Sequence, residues 1–403
     1  MTSGESFPKV APSTIIEVFM PNLILLALLA AFPPLSTDMY LPAIPTLQVQ
    51  WGISYATANL SMVLFMGVFS VFLLVHGPLS DRFGRKPVLT GGLLLFILAS
   101  IGCALSPSIE VLIACRCLQA AGAAAGASLA LALSKDLYEG GQRQKILAHM
   151  GVIMALAPML APSIGGLMLK FASWRWIFAV QGFMALIGLY GVARLKEPLT
   201  EFTRGGFLAV AGRYRLVLKN LPFTVLASGF ALMSLPHFAF IGGSADMYIN
   251  ELGLSEQAFG IYFGANAIGF MLGSFICTRM VGTYKPLNML YTTFAFLFAS
   301  TILMLILGGH TPLTLAIPMF CMSLSVGFSR PISNSMILDQ VDTDVGAASG
   351  ILTFEIFFVA ALSMELISMD WNHKPMILGM LGVLGTVIPL TALLAVRKRC
   401  RFT

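Results

Sequence analysis

The sequence predicts an all-α integral membrane protein of twelve spans, and three observations carry that prediction. Of 403 residues, 57% are hydrophobic and only 10% charged, whereas a soluble domain carries about 25% charged residues. Mean hydropathy is +0.87. Apolar runs of about 20 residues, the length one helix needs to cross a bilayer, recur along nearly the whole chain. So little charge cannot cover a water-exposed surface. Lipid must face most of the outside, and no stretch remains for a soluble catalytic domain.

The runs fall at 18–44, 55–76, 88–106, 109–133, 145–169, 174–194, 221–248, 257–280, 288–307, 312–336, 346–368 and 375–396. The first follows a polar stretch through Glu17. It is too long for the apolar core of a signal peptide and has no small-residue cleavage site, so it reads as a retained span. The seventh is the least regular, interrupted by Pro236, Gly242 and Gly243; neighbouring helices can satisfy the backbone groups such breaks free. The longest polar connection, 195–220, contains Lys196, Glu197, Pro198, Arg204, Gly205 and Gly206 and ends in a basic run at Lys219. It divides the chain into halves at 1–194 and 221–403. Two six-span halves predict two six-helix bundles with a binding site between them near the midplane. The match between halves is faint in residue identity and rests on hydropathy.

Lysine and arginine set the expected orientation. With the N-terminus cytoplasmic, one face holds Lys9, Arg82, Arg85, Lys86, Lys135, Arg143, Lys145 and the linker, Arg279, Lys285 and the C-terminal cluster through Arg401. The other face holds only Lys170, Arg175 and Lys374, while Arg116 and Arg330 lie within spans. Both termini are therefore expected inside. This bias explains the net charge of +6 without invoking nucleic acid. Cys103, Cys115, Cys117, Cys277, Cys321 and Cys400 form no CxxC pair, and read as small packing residues. His76, His149, His237, His310 and His373 show no HxxxH or HExxH spacing, so no metal site is expected.

Between the second and third spans runs Gly77-Pro-Leu-Ser-Asp81-Arg82-Phe-Gly84-Arg85-Lys86-Pro87. The glycines permit close helix approach and a tight turn, and Asp81 can pair with a basic group or a helix N-terminus. The string resembles the G-x-L-x-D-R-x-G-R-K signature of the major facilitator superfamily, and the resemblance implies that fold and a gate on the cytoplasmic side. A positively charged loop with a helix cap accounts for the same string. In the fourth span, Arg116, Gln119 and Gly122 resemble a further pattern of the family. Arg116 lies about 12 Å along the helix from its outer end, and an arginine at that depth needs a cavity or a partner. Arg116 and Gln119 share a helix face.

Ser36-Thr37-Asp38-Met39-Tyr40-Leu41-Pro42 resembles the T-D-M-Y-L-P string of the bicyclomycin and chloramphenicol-resistance branch of drug/proton antiporters. The resemblance implies that Asp38 and Arg116 meet or share partners in a central cavity, where burial and the arginine oppose each other in setting the carboxylate's protonation. Asp38 as an ordinary helix-ending residue is the alternative. Gly151 and Ala157-Pro158-Met-Leu-Ala161-Pro162-Ser-Ile-Gly165-Gly166 resemble the antiporter signature of the fifth span, with Ala161 in place of glycine; a kinked packing helix is the alternative. Trp174-Arg175-Trp176-Ile-Phe178 also resembles the family and reads as an interfacial anchor.

The second half resembles the family mainly in hydropathy. Arg330 and Glu355 lie at similar depths in adjacent spans, and a buried pair costs less than two lone charges. Glu355, Glu365 or Asp246 is alternatively a second proton site or an attraction for cationic substrates. Tyr40, Gln119, Phe238, Asp246 and Glu355 are the candidate cavity residues. The resemblance implies proton-coupled efflux of small amphipathic compounds, drugs such as phenicols or bicyclomycin, by a monomer in the bacterial inner membrane. It is expected to run on the proton gradient without a cofactor, since no G-x-x-x-x-G-K-[ST] string is present. An exporter of a natural metabolite such as an amino acid or sugar, a proton-coupled uptake symporter, and a membrane-embedded enzyme remain alternatives.

Overall fold

A computed structural model describes residues 12–199, 202, 207–398 and 400. Lys9, Arg204, Gly205, Gly206 and Arg401 lie outside the described residues. Among the described residues, twelve helical segments are long and apolar enough to cross a membrane. The first span is α1 (Pro12–Asp38) and α2 (Ile44–Trp51), joined by a turn of 3-10 helix at Leu41–Ala43. Spans two to six are α3 (Tyr55–Phe83), α4 (Arg85–Leu105), α5 (Ile109–Leu137), α6 (Gly140–Phe171) and α7 (Arg175–Arg194). The polar connection contains a helix of its own, α8 (Phe207–Leu218). The seventh span is split into α9 (Leu221–Leu232), α10 (Leu235–Ala245) and a π-helical turn at Asp246–Glu251. Spans eight to twelve are α11 (Glu256–Met280), α12 (Pro286–Leu307), α13 (Pro312–Leu338), α14 (Val345–Ser368) and α15 (Lys374–Val396).

Local chemistry sets the boundaries. Ser54 caps α3 and Ser255 caps α11, each side chain accepting from the backbone N–H three residues on. Thr311 opens α13 with a capping box. Gly84, at φ +101°, turns the chain between α3 and α4, a conformation that favours glycine. The seventh span breaks just before Pro236, which lacks the N–H needed to continue a helix. Gly242 and Gly243 remain helical there. A Cβ on either would sit 2.8 Å from Met364 or Ile367, so they bring the seventh span close against the eleventh.

Each half packs within itself, and the halves meet where the second span runs along the eleventh and the fifth along the eighth. Among the described residues, four hydrogen bonds join the halves at the lysine-poor face. Tyr55 Oη donates to the Gly242 carbonyl at 2.7 Å and Asn59 Nδ2 to Ser368 Oγ at 2.5 Å. Asn250 Nδ2 donates to Gln48 Oε1 at 3.0 Å and Gln257 Nε2 to the Gly166 carbonyl at 2.8 Å. The two halves are therefore fastened together at that face.

Candidate functional site

The polar core of the first half is built around Arg116, which is fully buried on α5 together with Gln119. Arg116 Nη1 donates to the Ser36 carbonyl at 3.0 Å and to Gln119 Oε1 at 2.6 Å. Its guanidinium lies 4.1 Å from the Phe65 ring centroid, 5.0 Å from that of Tyr40 and 5.7 Å from that of Phe178. These ring faces stabilise a cation withdrawn from water. Gln119 Nε2 passes the network on to Ser100 Oγ and Gln181 Oε1, at 2.9 and 3.0 Å. Gln181 Nε2 returns to the Leu35 carbonyl at 3.2 Å. The last carbonyls of a helix have no partner within it; here side chains of α5 and α7 take up two of those at the end of α1.

Asp38 is the last residue of α1, 6% exposed, and Thr37 Oγ1 donates to its Oδ1 at 2.9 Å. No ion pair joins Asp38 to Arg116 among the described residues. Of the two arrangements expected from sequence, direct contact or shared partners, the direct contact is not formed. Arg116 grips the backbone two residues before Asp38 and is walled in by rings, so the carboxylate and the guanidinium share a helix end without touching. Tyr40 and Gln119 are corrected as well. Both are 0% exposed, with Tyr40 Oη hydrogen-bonded to Ser61 Oγ at 2.8 Å, so they form the shell of Arg116 and present nothing to a substrate in this conformation.

The expected Arg330–Glu355 pair is not formed. Arg330 Nη2 donates to Ser234 Oγ at 2.5 Å, and Glu355 Oε1 accepts from Ser228 Oγ at 3.1 Å. Both serines belong to the seventh span. Spans ten and eleven pack more on their other neighbours than on each other, which keeps the two charges apart. Phe238 is half-buried, 6.0 Å from the Phe357 ring, which in turn meets Phe69 of the second span edge-on at 5.0 Å. Glu365 is half-buried, and its Oε2 has no hydrogen-bond partner.

Asp246, expected in the cavity, is instead held in a buried ion pair with Lys374. Lys374 was read from sequence as a loop residue; it is 6% exposed at the first position of α15. A cation at a helix N-terminus opposes the helix dipole, and Asp246 supplies the compensating charge. Asn250 Nδ2 also donates to Asp246 Oδ1, and Glu251 Oε1 lies 3.8 Å from Lys374 Nζ. A signal for this site was present in the sequence. Ser244-Ala245-Asp246-Met247-Tyr248 repeats Ser36-Thr37-Asp38-Met39-Tyr40, and both segments end the regular helix of the first span of their half. Tyr40 contacts Ser61, seven residues after the cap Ser54; Tyr248 stacks at 5.2 Å on Tyr262, seven residues after the cap Ser255.

In the loop motif, Arg85 joins Asp81 at 2.6 Å and Asp136 at 2.9 Å. Glu197 accepts from the backbone N–H groups of Arg85 and Lys86, both at 2.9 Å, and so caps α4. Lys86 Nζ donates to the Ala193 carbonyl at 2.8 Å, and Arg82 lies over the Phe83 ring. This network is confined to the first half and Glu197 of the connection that follows it. Gly77 is corrected: a Cβ there would meet nothing within 4 Å, so no close approach requires it. In α6, which contains Pro158 and Pro162 without interruption, a Cβ on Gly165 would overlap the Met39 carbonyl, and one on Gly166 the Glu256 carbonyl. A Cβ on Gly260 of α11 would lie 2.7 Å from the Ser163 Cα. Trp174 is not an interfacial anchor. It is 1% exposed, with Nε1 donating to Gln50 Oε1 at 2.8 Å, whereas Trp176 is 60% exposed.

The profile of the Major Facilitator Superfamily matches residues 26–364. An uncharacterized MFS-type transporter, YdgK of Bacillus subtilis, is 32% identical over 335 residues, covering 81% of this chain and 83% of that protein. A chloramphenicol resistance protein of Pseudomonas aeruginosa is 28% identical, covering 79% and 76%. The multidrug resistance protein MdtL of Escherichia coli is 27% identical, covering 79% and 81%. Among solved structures, a D-xylose–proton symporter superposes with a TM-score of 0.72 at 15% identity over 94% of this chain and 97% of that one. A bacterial homologue of the lysosomal transporter Spinster, inward-facing and unoccupied, gives 0.70 at 14% identity over 97% and 99%. The chain is a multi-pass membrane transporter that belongs to the major facilitator superfamily.

Proposed function

We propose that this transporter exports small amphipathic compounds, drugs among them, in exchange for protons, by opening a central site to each side of the bacterial inner membrane in turn. The observation that carries the reading is the buried Asp38 at the end of α1, two residues from the carbonyl that Arg116 holds. A carboxylate in that position gains or loses a proton only when its surroundings rearrange, and the rearrangement is carried to the helix end by the arginine. Loading Asp38 from the outside and discharging it inside, with substrate travelling the opposite way, links export to the gradient. One charge moved across 100 mV supplies about 2.3 kcal/mol, roughly a 50-fold concentration ratio, so no cofactor is needed. The chloramphenicol and multidrug resistance relatives support efflux as the direction. The basic face, which carries both termini, is the cytoplasmic one on the strength of its lysines and arginines, and a single chain contains both halves of the site, so it works as a monomer.

The test uses everted membrane vesicles with a pH-gradient dye. Adding a transported compound is expected to dissipate the gradient, and Asp38→Asn is expected to abolish that response while leaving energy-independent substrate exchange. Undiminished proton movement in Asp38→Asn sinks the coupling scheme. Accumulation of the compound by intact cells, abolished by an uncoupler, reverses the assigned direction.

A further inference from the structure

The two arginines inside spans are treated very differently. Arg116 is fully buried and engaged by a carbonyl, an amide, the Met62 sulfur and the rings around it. Arg330 is only half-buried, although it stands about 12 Å along α13 from the nearer helix end. A guanidinium carries five N–H donors in a planar fork, and one protein bond, to Ser234, is the whole of what Arg330 makes among the described residues. None of its nitrogens is both sealed from solvent and unpaired, so the remaining donors keep accessible surface. Among the described residues no carboxylate lies within 4.0 Å of it. A charge at this depth is expensive and marks a ligand path when its partner is missing.

What surrounds Arg330 defines the rest of the ligand. Ser234 sits at the break between α9 and α10, and one turn further His237 Nδ1 is hydrogen-bonded to Ser323 Oγ at 3.0 Å. The His237 ring stacks on Phe270 at 5.0 Å, which fixes its plane. Phe238 and Phe357, both half-buried, continue the aromatic wall toward the first half. The site thus offers an open cationic fork at one end and ring faces alongside it.

We propose that Arg330 binds the carboxylate of the transported compound, and that this compound is a small aromatic acid whose ring packs against Phe238 and Phe357. The planar fork matches the two oxygens of a carboxylate, a fit that a lysine ammonium does not reproduce. The proposal rests on the exporter reading only in requiring that the substrate enter between the halves.

The test is equilibrium binding to the full-length protein in lipid nanodiscs, with 2-naphthoate and its uncharged analogue 2-naphthamide as probes. The wild type is expected to bind the acid more tightly than the amide. Arg330→Met is expected to weaken the acid by at least about 10-fold, the loss of a charged hydrogen bond, and to leave the amide unchanged. Arg330→Lys is expected to fall between the two. Equal affinity for both probes in the wild type, or no binding of either, overturns the proposal. So does an Arg330→Met variant that loses both probes, which marks a structural role, or one that loses neither. No gradient is applied, so a failure of export or of proton coupling does not alter this readout, and a failure here leaves the export reading standing.

Discussion

Asp246 and Lys374 form a buried ion pair that ties the end of the seventh span to the start of the twelfth, and Tyr55 of the second span lies over the lysine at 5.1 Å. The same Tyr55 donates across the halves to Gly242, and Asn250 bridges Asp246 to Gln48 of the first span. One ion pair within the second half therefore organises contacts between the two halves at the lysine-poor face. For that face to open, Tyr55 and Gln48 must leave while the pair itself can persist.

Removing one partner of a buried pair leaves an uncompensated charge, at a cost of about 3–5 kcal/mol, whereas removing both is much less harmful. Asp246→Asn and Lys374→Met are each expected to lower the thermal midpoint of the purified protein strongly. The double variant is expected to recover most of the loss. Thermal unfolding of the four proteins in detergent measures this cycle; additive losses in the double variant contradict the pairing.

Hydropathy alone carried the twelve spans, because a bilayer demands apolar length and internally satisfied backbone whatever the packing. The partners of the charges were not legible in the same way. Arg330 and Glu355 stand at matching depth, yet each reaches a serine of the seventh span, since rotation about a helix axis, and not depth, decides which neighbour a side chain faces. Lys374 lies just outside the expected twelfth span because it opens its helix, so Asp246, expected in the cavity, had no visible partner in the sequence. Trp174 and Trp176 stand two residues apart near the same helix start, and burial separates them into a core residue and an exposed one.

Arg116→Lys is not a conservative change. A lysine ammonium is a point charge that cannot hold the Ser36 carbonyl and Gln119 Oε1 while lying flat against Phe65. Each hydrogen bond to a charged group contributes about 1.5–3 kcal/mol, so substrate-driven proton movement is expected to fall at least tenfold. Initial rates in everted vesicles, normalised to the amount of inserted protein, check this. Rates within a factor of two of wild type show that charge alone suffices.

Glu197 caps α4 through two backbone N–H groups and stands 2.7 Å from where a Cβ on Gly84 would lie. Glu197→Ala is expected to cost about 1 kcal/mol, the usual value of a lost helix cap. Gly84→Ala is expected to cost more, because it adds a steric overlap to a left-handed backbone conformation. Gly77→Ala carries neither penalty and is expected to be neutral or to stabilise α3 by about 0.5–1 kcal/mol. Thermal midpoints are expected to be highest for Gly77→Ala, intermediate for Glu197→Ala and lowest for Gly84→Ala. A Gly77→Ala variant as damaged as Gly84→Ala contradicts the open space found around Gly77.

Gly166 tests whether the halves must approach as closely as they do at the lysine-poor face. A side chain there would overlap the carbonyl of Glu256 in the second half, and backbone cannot yield as the tip of a flexible side chain does. Overpacking of a tight contact costs about 1–3 kcal/mol. In a transporter that cost falls on the one conformation that makes the contact, so Gly166→Val is expected to displace the equilibrium toward states open at that face. Cysteines placed at Gln48 and Asn250, whose side chains hydrogen-bond across the halves at 3.0 Å, report the change. Their oxidative cross-linking is expected to drop by about tenfold in Gly166→Val, the ratio that 1.4 kcal/mol sets between two states, while membrane insertion is unaffected. Cross-linking equal to that of the parent protein would mean that spans five and eight separate at no cost to closure.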